Sequence, residues 1–259
     1  MHVTLNDIVV LMNELAPMHL AENWDNVGLM VGRKEHPIKS ILLALDITPE
    51  VVEQAVTKKV DLIITHHPLI FQPLKSITDA QWQQKLILTL IENNIAVYSA
   101  HTNLDCVSGG VSDVLAKILK LDDYDLLDLD TGLGRVGVVE KTSLYDFAKF
   151  VKETLKCDYV SVGNAEKPVH KVAVCGGAGA DLINIALQNG CDTLVRGDVK
   201  YHDAQRAVFS GLNIIDAGHQ PTELPVLEGL ADRLSLHFTE RSWNIIVTVA
   251  EEKLLLKHF

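Results

Sequence analysis

Short, continuous apolar runs alternate with amphipathic stretches along the first half of this 259-residue sequence. The apolar runs have the length and composition of buried strands and lie at 40–46, 61–67 and 95–101. The amphipathic stretches have the apolar spacing of helices and lie at 48–59, 80–93 and 110–120. Strands that alternate with helices predict an α/β fold, in which helices cover both faces of a parallel sheet.

The N-terminal segment adds a further helix and an edge strand to this prediction. Thr4 and Asp7 have the spacing of a capping box, and the apolar residues at 8–15 keep helical periodicity. Residues 22–32, ENWDNVGLMVG, are polar and contain glycine, which predicts a loop that leads into an edge strand.

The second half of the sequence resembles the first. Residues 39–69 align with 171–201, and residues 93–105 align with 211–223. In both aligned pairs a predicted strand precedes a polar loop, and the second pair ends with a histidine and a carboxylate four residues later. We therefore predict an internal duplication with two similar three-layer α/β lobes that face a shared cleft, since ligand sites lie at the carboxyl ends of such strands.

The lobe boundaries follow from this alignment. We expect the first lobe at 1–125, completed by C-terminal residues from about 220 to 259, and the second at 126–219. The acidic and then glycine-containing segment 121–134 is the predicted crossing. The sequence leaves no room for an additional domain between the lobes.

Composition limits the classes of function. A formal net charge of −11 argues against a general nucleic-acid or anionic-membrane binder, which needs a basic surface. The four cysteines form no CxxC pair, which favours reduced thiols. The N-terminus lacks the features of a signal peptide, and no apolar run approaches the length of a membrane span. We expect a soluble cytoplasmic protein.

Metal-ligating residue types collect at three predicted strand ends. They are His66, His67, His101, Asp105, His219 and Glu223. Imidazole and carboxylate groups suit Zn, Mn, Fe, Ni and Co. A single histidine near a strand end is usually structural, but matched HxxxD and HxxxE spacings at two strand ends favour a metal site.

The adjacent His66 and His67 indicate how many ions the site holds. Successive strand residues point to opposite sides, so the two rings cannot easily chelate one ion together. Each can reach one of two ions about 3.5 Å apart, with Asp105 and Glu223 available as bridging carboxylates. The pattern thus predicts two divalent metal ions per chain.

Four motifs, taken in order, resemble the Nif3-like family, whose members are also called dinuclear-metal-centre hexameric proteins or GTP cyclohydrolase 1 type 2 homologues. The motifs are DNVGLMVG (25–32), ITHHPLIF (64–71), AHTNLD (100–105) and HQPTE (219–223). The resemblance implies the Nif3-like fold, a toroidal homo-hexamer with metal sites facing its inner cavity, and two ions held by the following five residues: His66, His67, Asp105, His219 and Glu223.

The resemblance also implies a metal-dependent hydrolase that opens the imidazole ring of GTP with loss of formate. His101 is then the most plausible proton carrier, or a group that hydrogen-bonds a carboxylate or water. Two other functions stay open: a two-metal phosphoesterase, and a non-catalytic ring that stores metal or binds partner proteins.

The roles of several further residues stay open. Asp198 and His202 lie in a loop that either faces the cleft or caps the next helix. The glycine run at 175–182 is better explained as a packing turn than as a phosphate-binding helix start. Trp24 and Asp25 either line the cleft or anchor the first sheet, and the apolar segment 242–256 is either an edge strand or an internal one.

Overall fold

The computed structural model describes residues 2–178 and 182–255. This part of the chain divides into two compact units. The first contains the described residues of Met1–Val107 and of Leu227–Lys253, and the second those of Ser108–Val226 and of Leu254–Phe259. The first change of unit thus lies before the predicted crossing at 121–134.

The first unit is built from the N-terminal alternation of strands and helices together with a C-terminal helix and strand. Its elements are α1 (Leu5–Leu15), β1 (Gly28–Val31), β2 (Ser40–Ala44), α2 (Pro49–Lys58), β3 (Leu62–Thr65), α3 (Trp82–Glu92), β4 (Ala96–Ser99), the one-turn helix α4 (Thr102–Cys106) and, after the second unit, α10 (Pro225–Glu240, from Leu227 onward) and β11 (Ile246–Val249).

The sheet of the first unit has the strand order β1-β4-β3-β2-β11. β11, β2, β3 and β4 are parallel, and β1 pairs antiparallel with β4 at one edge. The predicted edge strand is therefore confirmed, and it begins at Gly28, within the segment 22–32. β11 forms the opposite edge of this sheet. For its described residues, segment 242–256 therefore contains an edge strand rather than an internal one.

Both faces of this sheet are buried, which explains the uninterrupted apolar runs of its strands. On one face Leu42, Ile63 and Val97 join a core with residues of α2 and α3. The alternate residues Ile41 and Ile64 are also inaccessible to solvent, so the opposite face is covered as well.

The second unit contains the next elements of the chain. They are α5 (Val111–Ile118), β5 (Asp122–Leu126), β6 (Arg135–Thr142), α6 (Leu144–Thr154), β7 (Ser161–Gly163), β8 (Val169–Val174), α7 (Leu182–Gln188), β9 (Thr193–Arg196), α8 (Tyr201–Phe209), β10 (Asn213–Asp216) and the one-turn helix α9 (His219–Glu223).

The sheet of the second unit has the order β5-β6-β8-β9-β10-β7. β8, β9 and β10 are parallel, and β7 pairs antiparallel with β10. Val172 and Val174 of β8 belong to a core with α5 and α6, whereas Ala173 belongs to a second core with α7 and α8. Helices therefore cover both faces, and the predicted α/β class is confirmed.

The strand β5 was not predicted. It lies in the acidic segment 121–134 and pairs antiparallel with β6 at the edge of the sheet. Its residues are largely exposed, so the apolar pattern that identifies buried strands is missing there.

An aspartate stands just before one parallel strand of each unit, β3 and β9, and accepts hydrogen bonds from the chain at the start of the neighbouring strand. The carboxylate of Asp61 accepts hydrogen bonds from the backbone N–H groups of Lys39 and Ser40, at 2.8 and 2.9 Å. In the second unit, the carboxylate of Asp192 accepts from the N–H groups of His170 and Lys171, the latter at 2.7 Å. Asp61 lies 22 positions after Lys39 and Asp192 lies 21 positions after Lys171, so the two aspartates match in the aligned segments when one residue is skipped, and the same local structure recurs there.

No helix in the described ranges is long and apolar enough to cross a membrane. Cys157, Cys175 and Cys191 are buried, and no disulfide joins the four cysteines, all of which are described. Burial raises the pKa of the Cys157 and Cys191 thiols to about 11, which keeps these groups protonated and unreactive near neutral pH.

Candidate metal centre

Two histidines end strand β3 and face different neighbours. The His66 N–H donates to Ala44 O at 3.1 Å and the His67 N–H to Leu45 O at 2.8 Å, so pairing with the β2 side continues past the last residue of β3. The two ring centroids are 5.0 Å apart. Their Nδ1 atoms have different partners: Nδ1 of His66 lies 2.9 Å from Ala100 O, and Nδ1 of His67 lies 3.0 Å from a carboxylate oxygen of Asp46. A ring nitrogen of each nevertheless lies within 4.8 Å of the other, so the expectation that the two rings cannot approach one ion together is wrong.

His101 lies beside these two rings, at the carboxyl end of β4. It precedes α4, and the Asp105 N–H donates to His101 O at 3.2 Å, so these residues are one helical turn apart. His66, His67 and His101 each have a ring nitrogen within 4.8 Å of the others. Asp105 lies near the same group, with its carboxylate 3.6 Å from His66 Nε2. His101 therefore belongs to the same group of side chains as the predicted ligands His66, His67 and Asp105.

Asp25 holds His101 in place. The carboxylate of Asp25 lies 2.9 Å from His101 Nδ1 and accepts from the Thr102 N–H at 3.1 Å and from the Thr102 hydroxyl. Burial alone would raise the pKa of Asp25, but the hydrogen bonds from His101 and Thr102 outweigh it and hold the pKa at about 2. Asp25 is therefore ionised near neutral pH. Its neighbour Trp24 is 58% exposed, so the predicted alternative of an anchor beneath the sheet is wrong.

The second unit places His219 and Glu223 one turn apart in α9, after strand β10. His219 Nε2 lies 3.2 Å from the Glu223 carboxylate, as the HxxxE spacing predicts. Asp198 lies 2.8 Å from His219 Nδ1. The interpretation of Asp198 as a helix cap is wrong, because the residue before α8 is Lys200 and no side chain caps that helix. His202 is exposed on α8 against the ring of Tyr201.

The glycine run after β8 supports Glu223 through close packing. A Cβ atom at Gly177 would lie 2.0 Å from Glu223 Oε1 and 3.1 Å from His219 Nε2. The Gly177 N–H donates to the Thr222 hydroxyl at 3.0 Å, so this amide is committed within the unit. These contacts agree with a packing turn for the described part of the run, whereas Gly179, Ala180 and Asp181 lie outside the described residues.

The four histidines share one feature that suits a metal site. In each ring Nδ1 faces a backbone carbonyl or a carboxylate, and this makes Nε2 the nitrogen oriented for a metal. A partner of this kind fixes the ring orientation and strengthens the imidazole as a ligand. The donor set of imidazoles and carboxylates therefore fits a divalent ion in both units.

Sequence reasoning missed Asp46 and left Asp25 and Asp198 undecided. Asp46 lies two residues after the end of strand β2, so its position at a carboxyl strand end was the signal that could have found it. The partners of Asp25 and Asp198 are distant in sequence, 76 and 21 residues away, and local patterns do not identify such pairs.

Known proteins with similar sequences and structures identify the family. A "GTP cyclohydrolase 1 type 2 homolog" from Clostridium perfringens is 38% identical over 237 residues, which are 89% of this chain and 90% of that protein. A Bacillus cereus protein related to NIF3 has a similar crystal structure with a TM-score of 0.94 at 27% identity, covering 100% of this chain and 99% of that one. A Staphylococcus aureus hypothetical protein, SA1388, has the same TM-score of 0.94 at 30% identity, with both chains fully covered.

The profile of the Duf34/NIF3 (NGG1p interacting factor 3) family matches residues 3–254, which is nearly the whole sequence. The motifs that suggested the resemblance lie within this range. The chain belongs to the Duf34/NIF3 family.

Proposed function

We propose that this chain is a cytoplasmic metal-dependent hydrolase that acts on a nucleotide, with GTP as the first candidate. Two divalent ions, drawn from Zn, Mn, Fe, Ni and Co, would be held by five residues contributed by both units: His66, His67, Asp105, His219 and Glu223. The single observation that supports this best is the common orientation of the histidines, whose Nδ1 atoms are all held by carbonyls or carboxylates.

The ligand groups of the two units complement each other chemically. The first unit offers imidazoles and one carboxylate, and the second offers one imidazole and one buried carboxylate. A dinuclear centre needs more donors than either group supplies, as well as carboxylates that can bridge. We therefore assign both groups to one centre.

The choice of hydrolysis follows from the chemistry that such a centre provides. When bound, two adjacent divalent ions acidify a water molecule and compensate negative charge that develops on a substrate. His101 is the residue of this chain that we assign to proton transfer. Asp25 fixes its Nδ1, so Nε2 would take a proton from water or give one to a leaving nitrogen.

The proposed reaction consumes two water molecules. In the first step a water oxygen bonds to C8 of the guanine ring, the C8–N9 bond breaks, and N9 takes a proton to leave a formamide on N7. In the second step water attacks the formyl carbon, the C8–N7 bond breaks, N7 takes a proton, and formate is released. The choice of GTP is supported by the names of relatives such as the Clostridium perfringens protein.

A turnover assay tests this proposal. Purified protein loaded with Mn²⁺ or Zn²⁺ is incubated with GTP, and formate is measured beside an Asp105→Ala variant and an Asp122→Ala control, whose carboxylate is exposed on strand β5. We expect formate from the parent protein and the control, and at least a hundredfold less from Asp105→Ala.

Other results would redirect the proposal. Equal turnover by all three proteins would contradict it. Release of phosphate or of an alcohol from phosphodiesters, without formate, would indicate a two-metal phosphoesterase. Retained metal without turnover of either substrate class would favour the non-catalytic role.

We also propose a homo-hexamer. The support is family membership, since the resemblance implies a toroidal assembly for this family. Light scattering coupled to gel filtration tests it. The mass of one chain is 28.6 kDa, and six copies would give about 172 kDa, six times that value.

A further inference from the structure

An exposed aromatic pair lies next to the histidine cluster of the first unit. Trp24 is 58% exposed and Phe71 is 41% exposed, with their ring centroids 5.9 Å apart and an interplanar angle of 64°. Trp24 also lies edge-to-face with His101, at 6.1 Å and 75°. Exposed aromatic surface is unfavourable in water, so a pair of this kind beside a candidate site indicates a binding surface.

The chain on both sides of Trp24 is fixed by hydrogen bonds. Asp25, the next residue, is fixed by its bonds to His101 and Thr102. Two residues before Trp24, the Glu22 N–H donates to the same Thr102 hydroxyl at 3.0 Å. The loop therefore presents Trp24 from a preorganised position, which lowers the entropic cost of binding a ligand.

Phe71 is attached to the same loop. Asn26 Nδ2 donates to the carbonyl of Ile70, the residue before Phe71. On the other side of Ile70, Gln83 Nε2 donates to Leu69 O. The two aromatic rings thus belong to segments that are hydrogen-bonded to each other, and they form one wall rather than two independent exposed side chains.

We propose that Trp24, with Phe71 beside it, is the stacking surface for the nucleobase of the substrate. This inference rests on the proposed function and names the part of the substrate that the first unit recognises. A base has a flat π face that suits the indole, and the edge-to-face contact of Trp24 with His101 would place a stacked base beside the residue assigned to proton transfer. An aliphatic ligand offers no such flat face.

Binding of GMP and of ribose 5-phosphate to the Mn²⁺-loaded full-length protein tests the proposal by isothermal titration calorimetry. The two ligands share a sugar phosphate and differ in the base. We expect GMP to bind more tightly, and Trp24→Leu to weaken GMP by about tenfold or more while ribose 5-phosphate is unaffected. Trp24→Tyr retains a flat ring and should keep most of the GMP affinity.

Trp82→Leu is the matched control. Trp82 is 66% exposed at the start of α3, so its replacement removes a similar exposed indole from another place in the same unit. We expect this variant to bind both ligands as the parent protein does. Mn²⁺ content should be the same in all of these variants.

Three results would overturn the stacking role. They are equal affinity of the parent protein for the two ligands, an equal loss in Trp24→Leu and Trp82→Leu, and a joint loss of Mn²⁺ and GMP in Trp24→Leu, which would make Trp24 a structural residue. The same measurements distinguish an error in the proposed metal site from an error in the proposed stacking role. A parent protein that binds no Mn²⁺ but still prefers GMP to ribose 5-phosphate would contradict the proposed function and support the stacking surface.

Discussion

The two units share a scaffold but differ in what they place at its strand ends. The parallel strands, four in the first unit and three in the second, are flanked by a short antiparallel strand, β1 beside β4 and β7 beside β10. Where β3 ends in His66 and His67, the aligned β9 is followed by Gly197 and Asp198. The comparison teaches that similar sets of parallel strands present different donor groups at their ends.

The residue that replaces a histidine in the second unit has a different role at the site. Asp198 occupies the aligned position of a histidine, and its carboxylate orients His219. In the first unit Asp46 and Asp25, which come from other elements, do this for His67 and His101. Similar orientation of imidazoles is thus achieved from different places in the two units.

The largest expected effect concerns the close packing of Gly177 against Glu223 in the second unit. Gly177→Ala introduces a Cβ 2.0 Å from Glu223 Oε1 at a residue with φ of +60°. Strain from the left-handed conformation and from overpacking should together lower the free energy of unfolding by about 2–5 kcal/mol. Urea denaturation measures this.

Gly190→Ala separates these two contributions. Gly190 has φ of +71°, and a Cβ there would meet nothing within 4 Å. Its replacement should cost only about 1–2 kcal/mol, from backbone strain alone. Equal losses in the two variants would show that the contact with Glu223 has no energetic consequence.

The matched aspartates test whether the two scaffolds are energetically equivalent. Asp61→Ala and Asp192→Ala each leave two backbone N–H groups without a carboxylate partner, and each should lower the unfolding free energy by about 2–3 kcal/mol. Urea denaturation of the two variants should give values within about 1 kcal/mol of each other. A loss of unfolding free energy in only one variant would mean that the same hydrogen-bond geometry stabilises the two units unequally.

The carboxylates of Asp46 and Asp198 allow the contribution of each unit to metal affinity to be compared. Asp46→Asn and Asp198→Asn keep the side-chain size but remove the charge that faces Nδ1, and each should weaken metal binding by about tenfold or more. Competition against a chelator of known affinity measures this. Asp203→Asn, which removes a surface carboxylate paired with Arg206, is the control and should bind metal normally.

The smallest effects are expected at the N-terminal caps of α1 in the first unit and α6 in the second. The Thr4 hydroxyl accepts from the Asp7 N–H at 3.4 Å, and the Ser143 hydroxyl accepts from the Asp146 N–H at 3.1 Å. Replacement of either residue by alanine should cost about 1 kcal/mol. Thermal unfolding detects losses of this size, and an unchanged midpoint in either variant would show that its cap is dispensable.

Much of the fold was predictable because its signals are local. Thr4 caps α1 through the capping box that the sequence predicts, and α2 lies within the helix predicted at 48–59. The buried strands were recognisable from apolar runs since both faces of each sheet are covered. β5 was not predicted because an exposed, aspartate-rich edge strand has no such apolar run.

The site was only partly predictable. Strand-end positions identified the histidines, and helical spacing paired His219 with Glu223. The contact between Gly177 and Glu223 and the pairing of Asp25 with His101 join residues far apart in sequence, so no local pattern specifies them. The assembly of the donors of both units into one dinuclear centre stays a prediction.

Electron paramagnetic resonance of the Mn²⁺-loaded protein tests this central claim most directly. Two Mn²⁺ ions about 3.5 Å apart are magnetically coupled, whereas isolated ions give separate six-line spectra. We predict a coupled spectrum with two ions per chain, and its loss when either His67→Ala in the first unit or Glu223→Ala in the second is introduced. Uncoupled spectra from the parent protein, or a coupled spectrum that survives one of these replacements, would contradict a centre built by both units.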